Sequence, residues 1–214
     1  MGKKRFKAPD PERVQSVLGL LAQTYPDAEC ALDFENPYQL LIATILSAQC
    51  TDKRVNLVTP ALFEAFPDPR AMAAGDPEKL IELIRSTGFF NNKAKNIQAA
   101  CRDIVGQHDG QVPDTLEALV KLAGVGRKTA NVVLGNAFGV PGITVDTHLG
   151  RVARRLGLTD QTDPVKVEFQ LMEILPREIW TDFCHRIIHH GRALCAARKP
   201  KCEACPLAGV CPEV

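Results

Sequence analysis

Apolar residues recur along most of the chain at the spacing of one face of a helix. Residues 14–21 place Val and Leu at positions i, i+3, i+4 and i+7, and residues 97–104 repeat this pattern with Ile, Ala and Cys. No segment shows a sustained alternation of apolar and polar residues with the period of two that a half-buried strand requires. The pattern therefore predicts an all-α protein of about ten helices joined by short connections.

Several of these predicted helices have well-marked starts. Asn36-Pro37, Asp76-Pro77 and Asp163-Pro164 each place a capping side chain before a proline, which is favoured at the first helical position. Asp114, followed three residues later by Glu117, predicts a variant capping box with Asp in the usual Ser or Thr position.

The segment Gly139-Val-Pro-Gly142 interrupts the helical pattern and predicts a boundary between two helical bundles, with a cleft between them. The chain has 214 residues, of which 45% are apolar and 24% charged, and this composition excludes a disordered or fibrous protein. The basic residues 1–7 are not followed by an apolar run, and the apolar run at residues 40–46 is too short to span a bilayer. We therefore expect a cytoplasmic protein without a membrane segment.

Four cysteines near the C-terminus form the pattern C-x6-C-x2-C-x5-C; they are Cys195, Cys202, Cys205 and Cys211. A reducing compartment disfavours disulfides here, which leaves a four-thiolate zinc site or an iron–sulfur cluster. The uneven gaps within one short, proline-rich loop favour the cluster over zinc, which usually takes paired C-x2-C motifs. The other four cysteines are scattered, and we expect most of them to be buried free thiols; they are Cys30, Cys50, Cys101 and Cys184.

A glycine-containing turn joins two helical patterns within residues 122–130. Gly124 and Gly126 are expected to adopt positive φ and to leave backbone N–H groups uncovered at the start of the next helix, where phosphates bind. With Arg127 and Lys128 directly behind it, the turn indicates a helix–hairpin–helix that binds a nucleic-acid backbone. A plain turn between two helices is the alternative.

Lys128 and Asp146 are the candidates for chemistry. Lys128 lies in the first turn of the second hairpin helix, where the positive end of the helix dipole disfavours a further positive charge. A neutral amine is what Schiff-base chemistry requires, although a solvated surface lysine is the commoner case. Asp146 ends an apolar stretch and opens a helix, so it is either an N-cap, or a carboxylate facing a cationic centre, or both.

Taken together, these motifs resemble the endonuclease III family of the helix–hairpin–helix DNA glycosylase superfamily. The resemblance extends from about residue 10 to Cys211. The motifs that carry it are the hairpin, the cysteine pattern, Val145-Asp-Thr-His148, Leu46-Ser-Ala-Gln-Cys-Thr-Asp52 and Thr87-Gly-Phe-Phe-Asn-Asn-Lys93.

The resemblance implies a six-helix barrel domain over residues 30–140 and a 4Fe-4S cluster domain formed by residues 1–29 and 141–214, with the active site between them. It also implies a bifunctional enzyme of base excision repair. Such an enzyme removes oxidised pyrimidines of the thymine glycol type from duplex DNA, and cleaves the strand 3′ to the abasic site by β-elimination. We expect the enzyme to act as a monomer, associated with the nucleoid if bacterial, with no membrane involved.

The resemblance further implies a role for individual residues. Lys128 attacks the sugar C1′ and forms the Schiff base, and Asp146 helps to activate it and stabilises the charge that develops on the sugar. Gln49 fills the gap left by the extruded nucleotide, and Phe89 wedges into the opposite strand. Phe89 replaces the more usual Leu, Ala123 stands where the family usually has Pro, and Cys50 stands where Ala is common, so the lesion preference is open.

Two competing functions belong to different classes. An adenine-specific mismatch glycosylase shares the hairpin, the aspartate and the cluster, but it typically lacks a lysine at the position of Lys128. It also carries a further C-terminal domain, whereas this sequence ends three residues after Cys211. A non-catalytic module that scans DNA for damage is disfavoured by the retention of both Lys128 and Asp146.

The net charge of +1 conceals an uneven distribution of charge. Four segments without any Asp or Glu contain 15 of the 26 basic residues; they are residues 83–102, 118–145, 147–159 and 183–202. The remaining 133 residues hold 11 basic and 25 acidic groups. The basic segments include the hairpin and the loop with Arg198, Lys199 and Lys201, and we expect them to contact DNA phosphates.

Overall fold

The computed structural model describes residues 9–214, and all regular elements in this range are helical, which confirms the all-α prediction. Four short 3-10 helices lie at Arg85–Thr87, Arg177–Ile179, Cys202–Ala204 and Ala208–Val210. The α-helices of the described residues are α1 (Pro11–Thr24), α2 (Pro37–Leu46), α3 (Asp52–Ala65), α4 (Pro69–Ala74), α5 (Pro77–Ile84), α6 (Phe90–Gln107), α7 (Leu116–Leu119), α8 (Arg127–Ala137), α9 (Thr147–Arg155), α10 (Pro164–Ile174) and α11 (Trp180–Ala193).

Three of the predicted helix starts are confirmed. Asn36, Asp76 and Asp163 are the N-caps of α2, α5 and α10, and in each case the side chain accepts a hydrogen bond from a first-turn amide and a proline follows. The prediction for Asp114 is wrong by one residue, because α7 begins later and the cap is Thr115, whose hydroxyl accepts from the Ala118 amide.

The structure divides into two compact units. One consists of Cys30–Val140, and the other of Met1–Glu29 together with Pro141–Val214. In the first unit α2 is the central helix: residues 40–46 are all buried, and the helix packs against α3, α6 and α8. In the second unit the buried side chains of α1, α9, α10 and α11 form a separate core that includes Val17, Leu171 and Phe183.

Residues 1–7, for which the sequence predicted no secretory signal, lie outside the described residues. Within residues 9–214, no helix combines the length and the apolar character needed to cross a bilayer.

Candidate functional site

The predicted hairpin connects α7 to α8 by a tight turn. Leu122 and Val125 are buried in the core of this unit, and the Val125 amide donates to the Leu122 carbonyl over 3.1 Å. Gly124 between them has φ +75°, as predicted, and a Cβ at this position would lie 2.9 Å from the Cβ of Asn96 on α6. Glycine is therefore needed at position 124 both for the backbone conformation and for the close approach to α6.

Gly126 differs from the prediction of a positive φ. Its φ is −90° and its ψ 174°, because it is the extended N-cap residue of α8 rather than part of the turn. No side-chain hydrogen bond caps this helix start, and a Cβ at Gly126 would meet open space within the described residues. The first-turn amides of α8 therefore carry no cap, which is the arrangement that phosphate-binding helix starts use.

Lys128 is the second residue of α8. Its side chain is exposed, whereas Ala130, Val133 and Leu134 of the same helix are buried and attach α8 to the core. The amine is thus accessible while the helix that carries it is packed on its other face.

Asp146 is the N-cap of α9, as one of the two sequence interpretations proposed. Its Oδ1 accepts a hydrogen bond of 2.7 Å from the Leu149 amide, and the side chain is half-buried. Ile143 and Thr144, separated from Asp146 by Val145, are buried, and the Thr144 amide donates to Cys184 Sγ over 3.2 Å. Asp146 belongs to the unit with Pro141–Val214, and Lys128 belongs to the unit Cys30–Val140.

The four cysteines of the C-terminal pattern line one cavity of about 130 Å³ in their unit. Burial raises the pKa of Cys205, and the charges of the three other thiols raise it further. Metal ligation requires deprotonated thiolates, whose negative charges repel one another. A cationic centre between the four sulfurs offsets this repulsion. Within residues 9–214, no three His, Cys, Asp or Glu side chains converge in a geometry suited to a single metal ion.

Two hydrogen-bond donors point to thiolate ligands in this cavity. Arg155 Nη1 donates to Cys195 Sγ over 3.3 Å, and His190 Nε2 lies 3.6 Å from Cys205 Sγ. The His190 Nδ1 lies 3.1 Å from the hydroxyl of Tyr25, so the tautomer with hydrogen on Nε2 can donate to the sulfur and accept from Tyr25. Burial lowers the pKa of His190, which favours this neutral ring. The donor set therefore fits an anionic iron–sulfur cluster.

The loop that carries the cysteines is attached to α9 by arginines that the sequence analysis did not identify. Arg151 Nη2 donates to the carbonyls of Gly191 and Cys195, both over 3.0 Å, and Arg155 Nη1 donates to the carbonyl of Ala196 over 2.7 Å. Their spacing of i, i+4 places both arginines on one face of α9, and this spacing is the sequence signal that could have identified them. The helix that Asp146 caps is thus also the helix that holds the cysteine loop.

Gln49 and Phe89 are exposed, and both adopt the left-handed backbone conformation, with φ of 54° and 47°. Outside glycine this conformation costs about 1–2 kcal/mol per residue. Gln49 lies in the loop between α2 and α3, and Phe89 is the N-cap residue of α6. The neighbouring Phe90 is half-buried against the core, with the Arg85 guanidinium 5.8 Å from its ring centre, whereas Phe89 is 64% exposed.

The remaining predicted residues divide into exposed and buried groups. Arg198, Lys199 and Lys201 are exposed in the cysteine loop, and Arg127 is half-buried at the start of α8. Cys101 and Cys184 are buried thiols, as expected, and burial raises the pKa of each to about 12. Cys30 and Cys50 are only half-buried.

Comparison with known proteins identifies two family models within the chain. Residues 42–177 match the HhH-GPD superfamily base excision DNA repair protein model, and residues 195–211 match the iron-sulfur binding domain of endonuclease III. Endonuclease III of Synechocystis sp. is 57% identical over 210 residues, which are 98% of this chain and 96% of that protein.

Two solved structures resemble this one over nearly its whole length. A non-covalent complex of an endonuclease III with DNA has a TM-score of 0.91 and 46% identity, and covers 96% of both chains. A trapped covalent endonuclease III–DNA intermediate, an estranged-adenine complex, has the same TM-score and identity and covers 96% of this chain and 97% of that one.

The capping role of Asp146 can be separated from its charge by two substitutions. Asp146→Asn keeps the hydrogen bond to the Leu149 amide, so we expect the free energy of unfolding to change by less than about 0.5 kcal/mol, whereas Asp146→Ala loses about 1 kcal/mol. Urea unfolding followed by circular dichroism measures both. The same pair of substitutions at Asp163, the cap of α10, is the matched control. Equal losses in Asp146→Asn and Asp146→Ala would contradict the capping role.

Proposed function

Because the chain belongs to the endonuclease III family of HhH-GPD base excision DNA repair proteins, we propose that it removes oxidised pyrimidines, such as thymine glycol, from duplex DNA. Membership of this family makes the chain a DNA glycosylase and abasic-site lyase with an iron–sulfur cluster. The observation that carries the finer proposal is Lys128. Its exposed amine lies in the first turn of a helix that no side chain caps, directly behind a glycine hairpin.

In the proposed reaction the lone pair of Lys128 Nζ forms a bond to the sugar C1′ while the bond from C1′ to the damaged base breaks. Opening of the sugar ring then gives the Schiff base between Nζ and C1′. Loss of a proton from C2′ breaks the C3′–O bond, so the strand is cut 3′ to the abasic site and the phosphate leaves. Hydrolysis of the Schiff base frees Lys128 for another turnover.

Asp146 supplies the negative charge in this proposal. Its Oδ1 is held by the Leu149 amide, so the carboxylate has a fixed orientation, and Oδ2 can accept a proton or stabilise the positive charge that develops on the sugar. The cap and the chemistry therefore use different oxygens of the same carboxylate.

We propose that the hairpin binds phosphate groups of one DNA strand. The contacts come from the turn at Gly124, the uncapped amides at Gly126 and the side chain of Arg127. Arg198, Lys199 and Lys201 contact further phosphates. Gln49 fills the gap left by the extruded nucleotide and Phe89 enters the opposite strand, which the 64% exposure of the Phe89 side chain supports.

We assign a 4Fe-4S cluster to the four cysteine thiolates, and propose that it is structural. When bound, the cluster cross-links four points of a loop that has little core of its own.

We propose that residues 30–140 form the barrel domain with the hairpin, and that residues 1–29 and 141–214 form the cluster domain. We further propose that the enzyme acts as a monomer on chromosomal DNA, in the cytoplasm and at the nucleoid in a bacterium.

Borohydride trapping tests the role of Lys128. On a duplex with thymine glycol, the wild-type protein is expected to form a covalent protein–DNA band, and Lys128→Gln to form none and release base at least about 100-fold more slowly. Lys166→Gln, which removes an exposed lysine outside the four basic segments, is the control and is expected to trap normally. Base release without trapping by the wild-type protein indicates a monofunctional glycosylase, and binding without release indicates a scanning module.

Metal analysis tests the cysteine ligands. The wild-type protein is expected to contain about four iron atoms and about four sulfides. Cys202→Ser is expected to lose most of them, together with the visible absorption of the cluster, because a serine oxygen is a poor ligand for iron–sulfur centres. Cys30→Ser, outside the C-terminal pattern, is expected to keep both. Stoichiometric zinc in the wild-type protein overturns the assignment of an iron–sulfur cluster.

The salt dependence of DNA binding tests the phosphate contacts. We expect the affinity for duplex DNA, measured by fluorescence anisotropy, to fall steeply with salt, and Lys201→Gln to reduce the slope of log K against log salt by about 0.9. Lys166→Gln removes an exposed lysine outside the four basic segments and is expected to leave the slope unchanged. A flat salt dependence of the wild-type protein contradicts the phosphate contacts.

A further inference from the structure

A buried lysine of the unit Cys30–Val140 has no role in the proposed reaction or in the proposed DNA contacts. Lys93, the fourth residue of α6, is only 5% exposed. Its Nζ donates to the carbonyl of Leu46 over 2.8 Å and to the carbonyl of Thr87 over 2.7 Å. Burying an ammonium group is costly unless it is hydrogen-bonded, so these two contacts are needed to keep the charged side chain inside. Burial lowers the pKa of Lys93, and the neighbouring Cys50 opposes this effect.

Both acceptors are the last residues of helices. Leu46 ends α2, and Thr87 ends the 3-10 helix Arg85–Thr87. The last carbonyls of a helix have no partner within it, and the negative end of the dipole attracts a cation. One ammonium group therefore satisfies the C-terminal ends of two helices at once.

The two helix ends lead directly into the loops that carry Gln49 and Phe89. Gln49 follows Leu46 by three residues, and Phe89 follows Thr87 by two. The amide of Lys93 makes the first backbone hydrogen bond of α6, to the carbonyl of Phe89 over 3.1 Å, so the ammonium group is attached to the same helix start that carries Phe89. Gln49 and Phe89 both have left-handed backbones, which persist only where the surrounding contacts determine them.

We propose that Lys93 is a positioning residue that fixes Gln49 and Phe89 relative to each other, so that the two side chains enter the DNA as one rigid unit. This inference rests on the proposed function, in which both side chains occupy the duplex at the extruded nucleotide. Lys93 itself is buried and contacts no DNA. Lys93 orders the two loops before DNA binds. The entropic cost of ordering them is therefore not added to the free energy needed to extrude the base.

The consequence is specific to one step of the reaction. A damaged base must be extruded before its bond to the sugar can break, whereas an abasic site has no base to extrude. Loosening the two loops is therefore expected to slow base release from thymine glycol and to affect cleavage at a preformed abasic site much less. A general loss of stability lowers both activities alike.

Single-turnover kinetics of Lys93→Met test this expectation. The substitution keeps the length of the side chain and removes the ammonium group. We expect base release to slow by about 10-fold or more and cleavage of the abasic duplex to change by less than about 3-fold. The fluorescence of 2-aminopurine placed opposite the lesion reports the unstacking of the DNA there, and we expect this unstacking to be slower with Lys93→Met than with the wild-type protein. Lys79→Met, on an exposed lysine of α5 in the same unit and outside the four basic segments, is the matched control.

Double-mutant cycles test the coupling between the two loops. In the otherwise wild-type protein, Gln49→Ala and Phe89→Ala are each expected to slow unstacking, and both effects are expected to shrink to within about 3-fold when combined with Lys93→Met. Effects that simply multiply with that of Lys93→Met, or equal losses on both substrates, overturn the role of Lys93. If neither alanine variant changes unstacking in the wild-type background, the proposed DNA contacts themselves are wrong.

A second variant keeps the test decisive if Lys93→Met does not fold. Lys93→Arg retains a cation with several hydrogen-bond donors, and circular dichroism with a thermal unfolding midpoint establishes its fold. Because the two loops act as one unit, Gln49→Ala and Phe89→Ala are expected to be non-additive when combined, both in the wild-type protein and in Lys93→Arg. A folded Lys93→Arg protein in which the two alanine effects are independent overturns the proposal.

Discussion

An all-helical chain has to satisfy the backbone groups that each helix leaves unpaired at its ends, and this constraint determines where the functional residues lie. Most helix starts are capped in the ordinary way, by Asn, Asp or Thr side chains. The starts of α6, α8 and α11 have no side-chain cap, and at α8 the glycine N-cap leaves the first-turn amides open for the proposed phosphate contact. At the start of α9 the capping carboxylate is itself the proposed catalytic group. At the ends of α2 and the helix Arg85–Thr87, a buried ammonium group is the cap.

Helix α9 links the cysteine loop to the proposed catalytic carboxylate of Asp146. α9 begins at Asp146, and its arginines at positions 151 and 155 hold the backbone of the cysteine loop. Arg13 of α1 donates to the carbonyl of Leu156, directly after α9, and to the carbonyl of Val210 in the cysteine loop. A cluster that orders the loop therefore also stabilises the surroundings of the helix that orients Asp146. These contacts are a physical basis for the proposed structural role of the cluster.

Helix positions and local capping chemistry could be predicted from the sequence, because both depend on side chains within a few residues of each other. The caps at Asn36, Asp76 and Asp163 and the buried faces of α1 and α6 follow from such short-range patterns. The φ of Gly126 could not be predicted, since it depends on whether the turn ends before or after that residue. The burial of Lys93 could not be predicted either: its acceptors are 47 and 6 residues away, and a lysine is normally assigned to the surface.

The left-handed backbone at positions 49 and 89 also limits how the protein can diverge. Side chains without a branch at Cβ, such as Gln, Leu and Phe, are less crowded in this conformation than β-branched side chains, which are genuine outliers in it. Val, Ile and Thr are thereby disfavoured at the two positions that are proposed to meet the bases. The backbone favours flexible or planar side chains there, and Gln49 and Phe89 both belong to this group.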